Sequence, residues 1–252
     1  MNQQSDGTVG KALDVLDRVA AYGRPVRFSE LLAEGGYPKA TLYRLLQVLV
    51  SQGLLFHDPD HGAYGLGVRL VRLAHAAWSQ SSLAPVARAH VERLSDEVGA
   101  VVHLAQLDGG QVLYVDKVSP APGVEMFSAA GRVGPAYCTG VGKAMLAHLG
   151  AADRERVIAQ QSFHRFTPAT LDAAGLVAEL DAIRAEGVAW DREEHEAGIV
   201  CVAAPILSRG GRILGALSVT STGGAAAMTA LEAHKDKVLS LIHISEPTRL
   251  GM

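Results

Sequence analysis

Residues 37–54 read YPKATLYRLLQVLVSQGL, and this stretch decides how the N-terminal part of the chain folds. Its apolar residues recur at the spacing of one helical face, which carries Leu42, Leu45, Leu46 and Leu49. Pro38 suits the first turn of a helix, where its missing N–H is not needed, and Gly53 is a common helix terminator. The stretch therefore predicts a helix that ends near Gln52 and buries a row of leucines.

The outer side of this helix carries small and polar residues, namely Lys39, Ala40, Thr41, Tyr43, Arg44 and Gln47. A helix that enters the major groove of DNA needs such a surface. Small residues permit close approach, while Arg, Gln and Thr can contact phosphates or base edges. We therefore take these residues as candidate DNA contacts. Taken alone, the pattern fits an ordinary surface helix with a solvated Lys and Arg equally well.

Two further helical patterns precede this helix. Apolar periodicity predicts a first helix over residues 9–20. A short second helix is predicted over residues 29–34, with Ser29 as its N-cap and Gly35-Gly36 as the following turn. Two helices, a glycine turn and a third helix form the layout of a helix-turn-helix.

The segment that follows predicts a wing and a linker. Residues 54–56 and 63–66 read as two short strands around a tight turn. Residues 68–77 then predict a helix that leads out of the domain and ends near the polar cluster 79–82, where we place the domain boundary.

Beyond that boundary, strand and helix patterns alternate. Residues 101–107 and 111–118 flank Asp108-Gly109-Gly110, which is a strong hairpin signal. The other predicted elements are strands over 199–207 and 213–220 and helices over 138–149, 151–161, 172–186 and 228–238. A sheet covered by helices is the expected packing, which makes the chain an α+β protein.

Composition limits the class of protein. The chain has 252 residues, 48% hydrophobic and 19% charged, which predicts one large or two modest folded domains. The polar start shows no signal-peptide pattern, and no apolar run approaches the length of a membrane span. The two cysteines, Cys138 and Cys201, fit a reducing compartment, so we expect a cytoplasmic protein without a membrane partner.

Charge leaves DNA binding open. The net charge is −3, yet residues 1–80 hold 8 Lys/Arg against 7 Asp/Glu. A DNA reader needs positive charge only on its docking face, because phosphate neutralisation is local. The overall balance therefore neither supports nor excludes a nucleic-acid partner.

Segments spread over nearly the whole chain resemble one family. Residues 37–46, with Leu49 and Gly53-Leu54 after them, resemble the recognition helix of the IclR family of bacterial transcription regulators. Residues 131–144, 194–205 and 215–219 resemble three stretches of the effector domain of that family. One departure concerns the wing, which often carries Gly-Arg-Tyr in the family, whereas this chain has Gly62-Ala63-Tyr64 and so lacks that cation.

The resemblance implies an architecture and a binding site. It implies a winged helix-turn-helix over residues 1–66, a linker helix over 67–82 and a GAF-like effector-binding domain over 83–238. Matched residue by residue, the effector contacts of the family fall at Gly140, Val141, Asp191, Cys201, Ser218 and Thr220.

The residue types at those positions suit a pocket. Gly140 and Gly142 lie where a loop turns into a helix, a backbone geometry that can bind a carboxylate through N–H groups. Ser218 and Thr220 are two apart on a strand, so both hydroxyls project to one face. Without the resemblance, the two hydroxyls fit a plain strand pair and Cys201 fits a small buried apolar residue.

We therefore expect a repressor that binds double-stranded operator DNA and is controlled by a small organic-acid metabolite. The resemblance implies a homodimer and often a dimer of dimers. Two alternatives stay open: a metabolite-binding protein with a vestigial DNA-binding head, supported by the missing wing cation, and a transcriptional activator of the same family.

Enzyme patterns fail on inspection. A P-loop needs Gly at position 137 and Ser or Thr at 144, where this chain has Tyr137 and Ala144. Ser218 lacks the Gly-x-Ser-x-Gly elbow of hydrolases. His57 and His61 supply too few ligands for zinc. We therefore expect no catalytic site, no metal and no cofactor.

The end of the chain follows a different pattern. Leu239–Arg249 resembles the translation of a transposon-end adapter used to prepare sequencing libraries, and all eleven residues are those that the adapter codons encode. Our hypothesis is that residues 239–252 form a non-native tail, from which no function is inferred. Recovery of the same codons in genomic context from an independent library would contradict it.

Overall fold

A computed structural model describes residues 7–80, 83–120 and 128–242. The chain divides into two compact units, residues 1–80 and residues 81–252, and each is described here by itself. Among the described residues, no helix is both long enough and apolar enough to cross a bilayer. The predicted domain boundaries at residues 66, 82 and 238 remain predictions.

The N-terminal unit combines helices with a small antiparallel sheet. Its three strands pair in the order β1-β3-β2. Its elements are α1 Thr8–Ala21, β1 Val26–Arg27, α2 Phe28–Ala33, α3 Lys39–Ser51, β2 Leu55–Asp58, β3 Ala63–Leu66 and α4 Val68–Gln80. This order confirms the predicted helix-turn-helix and wing.

The leucine face of α3 forms the centre of this unit. Leu42, Leu45, Leu46 and Leu49 are all buried and pack with Val15 and Val19 of α1, which confirms the periodicity. Arg18 of α1 fixes the turn before α3, because its guanidinium donates to the Gly35 carbonyl at 2.8 Å and lies 5.2 Å from the Tyr37 ring centroid. Helix α1 thus positions α3 in two ways, through the buried leucines and through the contacts of Arg18 with the turn before α3.

The start of the second helix differs from the prediction. Ser29 is not the N-cap; α2 begins at Phe28 and its N-cap is Arg27. The reason is that Val26–Arg27 forms a two-residue strand against β3, which brings the chain directly into the helix. The Glu30 carboxylate then accepts a hydrogen bond from the Arg27 N–H at 2.9 Å.

The C-terminal unit is built on a six-stranded antiparallel sheet in the order β6-β5-β4-β9-β8-β7. Its strands are β4 Val101–Asp108, β5 Gln111–Val118, β6 Val133–Gly134, β7 Ala189–Arg192, β8 Ile199–Leu207 and β9 Ile213–Thr222. Its helices are α5 Ala84–Val98, α6 Gly140–Ala147, α7 Ala151–Ala159, α8 Ala173–Glu186, α9 Ala225–Glu232 and α10 Lys235–Leu239.

Helices cover both faces of this sheet. Helices α5, α9 and α10 pack with Val102, Val202 and Val219 on one face. Helices α6 and α8 pack over Ala203 and Ala216 on the other face. The helix-covered sheet confirms the predicted α+β class.

The structure corrects the helix predicted over residues 228–238 and describes only part of the predicted tail. The single helix predicted over residues 228–238 is two short helices, α9 and α10, separated at Ala233-His234. Of the predicted tail, residues 243–252 lie outside the described residues, and Leu241 lies in the core beside α5 and α10.

Candidate DNA-binding surface and ligand cavity

Most of the candidate DNA contacts lie on the open side of α3. Lys39, Ala40, Tyr43, Arg44 and Gln47 are exposed, and Thr41 is half-buried. In the part of the chain that the structure describes, neither Lys39 nor Arg44 takes part in an ion pair. The surface therefore presents two available cations beside small and polar groups.

An aromatic groove that the sequence did not predict joins α3 to the wing. The Tyr43 ring meets Phe28 of α2 edge-on at 6.2 Å, and the His57 ring of β2 lies 4.7 Å from Tyr64 of β3. Burial raises the Tyr64 pKa, and a hydrogen bond from Gln47 opposes that shift. Gln47 thus contacts the wing as well as solvent.

Strand β1 places a cation where the wing lacks one. Arg27 pairs directly with Ala63 in antiparallel register, and paired residues project to the same face of a sheet. Arg27 is exposed and forms no ion pair within the described ranges, whereas nearby Arg24 is bound to Glu30 at 2.6 Å. The wing cation missing from position 63 is available from the neighbouring strand.

In the C-terminal unit, strand register brings the predicted effector contacts together. Asp191 of β7 pairs with Cys201 of β8, and Cys201 pairs with Thr220 of β9. In the next row, Ser218 pairs with His103 of β4. These side chains share the face beneath α6 and line one cavity together with Gly140 and Val141.

The start of α6 forms the roof of this cavity. Thr139 is its N-cap, and the backbone N–H groups of the first turn have no partner within the helix. Gly140 lies so close to Cys201 that a Cβ at position 140 would overlap the sulfur. Burial raises the pKa of the Cys201 thiol, so this sulfur is neutral.

A relay of hydrogen bonds lines the far wall. Each nitrogen of the His103 ring forms a hydrogen bond with a hydroxyl group. Nε2 lies 2.7 Å from Ser128 Oγ, and Nδ1 lies 3.1 Å from Thr220 Oγ1. Ser218 Oγ lies 3.4 Å from Thr220 Oγ1. Burial lowers the His103 pKa to about 3, so the ring is neutral near pH 7.

A buried charge cluster supports the opposite wall. Lys143 of α6 is fully buried and donates to Glu194 and, at 2.7 Å, to Glu179 of α8. Asp191 accepts the Glu194 N–H at 2.9 Å. Burial raises the Asp191 pKa to about 7; the hydrogen bond from the Glu194 N–H opposes this rise, and the Glu194 carboxylate adds to it. Asp191 can therefore be protonated or ionised within the physiological pH range.

The cavity is small and is lined by both polar and apolar groups. Its volume is about 40 Å³, which is room for roughly two or three water-sized groups. The sequence analysis missed several lining residues, which include His103, Tyr114, Ser128, His195 and Glu196. His103 and Tyr114 stand in strands that read as ordinary core, so only the pairing of β4 with β9 and β5 reveals them.

The described residues contain no group of three or more His, Cys, Asp or Glu side chains that could hold a metal ion. His57 contacts Tyr64, and His61 contacts Asp58 at 2.7 Å, so the wing histidines each have a protein partner. The two candidate sites are thus a basic, aromatic-lined surface and a polar cavity.

Comparison with known proteins identifies both units. Residues 8–59 match the IclR helix-turn-helix domain, and residues 75–240 match the bacterial transcriptional regulator IclR C-terminal domain. The chain belongs to the IclR family. It is a transcription regulator with a DNA-binding helix-turn-helix and a ligand-binding C-terminal domain.

Relatives within the IclR family bear the names of regulators, not enzymes. The HTH-type transcriptional regulator XynR of Escherichia coli is 31% identical over 215 residues, which cover 85% of each chain. The HTH-type transcriptional regulator BhcR of Paracoccus denitrificans is 32% identical over 211 residues, covering 83% of this chain and 75% of that protein.

Solved IclR structures share the fold. Thermotoga maritima IclR aligns with a TM-score of 0.74 and 27% identity, covering 94% of this chain and 97% of that one. An IclR homolog from Microbacterium hydrocarbonoxydans, complexed with 4-hydroxybenzoate, aligns with a TM-score of 0.80 and 25% identity, covering 95% and 98%.

Proposed function

We propose that this IclR-family regulator is a homodimeric repressor whose affinity for operator DNA is controlled by a small organic acid bound in the cavity. One observation carries the proposal: Gly140, Val141, Asp191, Cys201, Ser218 and Thr220, which lie far apart in sequence, all line the same polar cavity. A relative of this fold complexed with 4-hydroxybenzoate supports an acid as the ligand class.

The cavity offers complementary groups for an acid. A carboxylate beneath α6 would accept a hydrogen bond from the Val141 N–H, and one from the Gly140 N–H in place of its bond to the Cys201 sulfur, where the helix dipole favours negative charge. The Ser218 and Thr220 hydroxyls would meet a second oxygen atom. Asp191 would bind beside the carboxylate in its protonated form, because two adjacent carboxylates repel each other.

The DNA surface would combine α3 with the wing. Lys39 and Arg44 would contact phosphate or guanine, Ala40 and Thr41 would allow close approach, and Tyr43 and Gln47 would contact base edges. Arg27 would replace the wing cation that position 63 lacks. Within the described ranges these cations are exposed and form no ion pair, which leaves them accessible to phosphate.

Two copies would be needed for a selective operator. One recognition helix contacts only a few base pairs, so helix-turn-helix proteins read two half-sites as dimers. Helix α4 supports a homodimer, because its Val68, Val71 and Leu73 expose 74%, 67% and 51% of their surface to solvent. Val68 and Val71 lie one turn apart on one side of the helix, and contiguous exposed apolar surface is typical of interaction sites.

The proposal is tested by fluorescence anisotropy on the DNA upstream of its own gene, at about 150 mM salt, since non-specific affinity falls steeply with salt. We expect selective binding relative to scrambled DNA, lost in Arg44→Ala and retained in Arg209→Ala, which alters an arginine of the C-terminal unit. A panel of acids that includes glyoxylate, pyruvate, lactate and 4-hydroxybenzoate should then shift the affinity.

Three outcomes separate the alternatives. An acid that releases the protein from DNA supports a repressor, whereas an acid that tightens binding favours the activator. Ligand binding without selective DNA binding, here and in a genome-wide fragment selection, supports the vestigial head. Selective DNA binding that no acid alters would overturn the organic-acid effector.

A further inference from the structure

The aromatic groove between the start of α3 and the wing has a chemistry that the proposed DNA contacts leave unexplained. Phe28 of α2 and Tyr43 of α3 line it from the helices, while His57 of β2 and Tyr64 of β3 line it from the wing. The ring centroids lie 6.2 Å apart in the first pair and 4.7 Å apart in the second. Ala40 adds a methyl group, so the aromatic groove presents an apolar surface.

The aromatic groove is open to solvent on the side where α3 is exposed. Tyr43 exposes 54% of its surface, and Ala40 and His57 are exposed as well. Exposed apolar groups that lie next to one another are typical of interaction sites. A helix-turn-helix inserts this same outer face of its recognition helix into the major groove of DNA. The aromatic groove therefore continues the DNA-binding surface, and an apolar group of the duplex is the occupant that fits it.

Thymine is the base that presents an apolar group in the major groove. Guanine, adenine and cytosine show hydrogen-bond donors and acceptors there, whereas thymine adds a methyl group at C5 to its acceptor oxygen. A polar base edge placed against aromatic rings loses its water partners without replacement, which is costly, while a methyl group gains free energy by leaving water. The chemistry of the aromatic groove thus favours thymine over the other three bases.

The charge beside the aromatic groove fits a DNA strand. Lys39, in the first turn of α3, borders the groove and is exposed. From this position its ammonium group can bind a phosphate next to the base that reaches the rings, and phosphate contacts of this kind set the register of a protein on the duplex. Gly62 borders the groove on the wing side and has no side chain to fill it. Phosphate binding and apolar contact are therefore assigned to different residues.

We propose that the aromatic groove binds the 5-methyl group of a thymine in each operator half-site, and that Tyr43 and His57 set this preference. The inference rests on the DNA-binding function proposed above and adds the base that the surface recognises. Tyr43 provides the contact from α3, and His57 borders the methyl group from the wing. Because this contact is apolar, it should not depend on salt, whereas phosphate contacts weaken as salt rises.

Replacement of single thymines tests the proposal. Operator fragments are first selected with the full-length protein from a random-sequence library of double-stranded DNA. Fluorescence anisotropy then compares each fragment with copies in which one dT is replaced by dU, which lacks only the methyl group. We expect one position in each half-site at which dU weakens binding about fourfold, the effect of leaving one methyl group unburied. This ratio should be the same at every salt concentration.

A methylated cytosine provides the reverse test. Changing the sensitive T·A pair to C·G removes the methyl group and also changes the hydrogen-bonding edge, so binding should weaken at least as much as with dU. With 5-methylcytosine in place of that cytosine, the methyl group returns to the same ring position. We expect part of the lost affinity to return, because the aromatic groove contacts the methyl group and not the rest of the base.

Protein variants assign the effect to the aromatic groove. Tyr43→Ala should remove the difference between dT and dU, and Tyr43→Phe, which keeps the ring, should retain it. His57→Ala should lower the ratio. Phe56→Ala is the matched control, because Phe56 is a 45%-exposed ring on the same strand whose side chain lies over Gly65 on the opposite face of the wing. Its ratio should equal that of wild type.

The outcomes separate this inference from the broader function. Selective DNA binding without a dU-sensitive position, or a dU effect that persists in Tyr43→Ala, overturns the thymine contact and leaves the DNA-binding function standing. Sensitivity to 2′-O-methyl nucleotides without sensitivity to dU also overturns it and assigns the aromatic groove to a deoxyribose. If the library yields no selected fragment, both this inference and the operator-binding function fail.

Discussion

Gly140 is a position that has no room for a side chain, because the buried Cys201 sulfur lies beside it. An added Cβ would overlap the Cys201 sulfur and would lie tightly against Ala203 Cβ at 3.3 Å, while Asp191 Cβ at 3.7 Å is at an ordinary contact distance. We therefore expect Gly140→Ala to lower the free energy of unfolding by about 1–3 kcal/mol, as overpacked cores do, and to weaken acid binding. Urea unfolding and calorimetry measure the two effects.

The clash with one atom provides an internal control for that prediction. Cys201→Ala removes the sulfur, so the double variant with Gly140→Ala should regain most of the stability lost by the single variant. Two neighbouring substitutions that compensate in this way give a non-additive cycle. Additive losses would mean that Gly140 is required for another reason, such as its backbone conformation.

Asp191 predicts a pH dependence of stability. Burial raises its pKa from 3.8 to about 7, so between these values the folded state binds more protons than the unfolded state. The contribution of Asp191 to stability must then fall as pH rises from about 4 to 7, by at most about 1.4 kcal/mol per pH unit for one group. Asp191→Asn should flatten this slope and be relatively more stable at pH 8 than at pH 5.

Urea unfolding at pH 5, 6, 7 and 8 measures the slope. Asp153→Asn, at an exposed position of α7, controls for the loss of one acidic group. If the unfolding free energy has the same slope against pH in wild type and in Asp191→Asn, the Asp191 carboxylate does not cause the pH dependence. Glu194, whose pKa burial also raises, acts in the same direction, whereas His103, whose pKa burial lowers to about 3, acts in the opposite direction; both contribute to the slope that remains.

Among the secondary-structure elements, the sequence predicted correctly those that depend on interactions between residues close together in the chain. The leucine periodicity of α3 and the Asp108-Gly109-Gly110 turn between β4 and β5 were read correctly, because helix faces and tight turns depend on nearby residues. Strand β1 and the Arg27 cap were missed. A two-residue strand exists only because β3 pairs with it, and no local pattern encodes a distant partner.

The cavity shows the same division. Ser218 and Thr220 were placed on one face from their spacing alone, whereas their position opposite Cys201 and His103 depends on the register of β9 against β8 and β4. That register is long-range, so His103 read as a core residue. The family resemblance supplied the predicted contacts, and the strand pairing supplied the residues around them.

The pairing of β1 with the wing predicts a phosphate contact. Arg27→Ala should weaken DNA binding about equally on operator and scrambled DNA and reduce the slope of log affinity against log salt by about 1. The backbone N–H that Glu30 caps is retained in this variant, so the fold should persist. Anisotropy titrations at four salt concentrations measure the slope.

Arg24→Ala provides the matched comparison for Arg27. Its guanidinium is already bound to Glu30 at 2.6 Å, so its removal should change the salt slope less. If Arg27→Ala leaves the slope at its wild-type value, Arg27 does not replace the cation that is missing from Gly62-Ala63-Tyr64.

For the whole molecule, regulation requires that ligand and DNA binding be thermodynamically linked. An acid can change operator affinity only through a difference in its own affinity for two arrangements of the protein. Linkage is reciprocal, so operator DNA must change the affinity for the acid by the same factor. In a dimer on a two-part operator, that arrangement includes the spacing of the two recognition helices.

The exposed apolar residues of α4 make the dimer testable. Val71→Glu places a charge on a side chain that is 67% exposed, so the monomer fold should be unaffected, whereas a dimer that buries Val71 would lose apolar contact and gain an unpaired charge. We expect monomers by size-exclusion chromatography with light scattering and an operator affinity lower by about tenfold or more, because a single half-site remains.

Val177→Glu, at an exposed valine of α8, is the control and should retain the wild-type mass and affinity. A Val71→Glu protein that stays dimeric would assign the contact to another surface. One that becomes monomeric yet binds the operator normally would refute the two-half-site requirement itself.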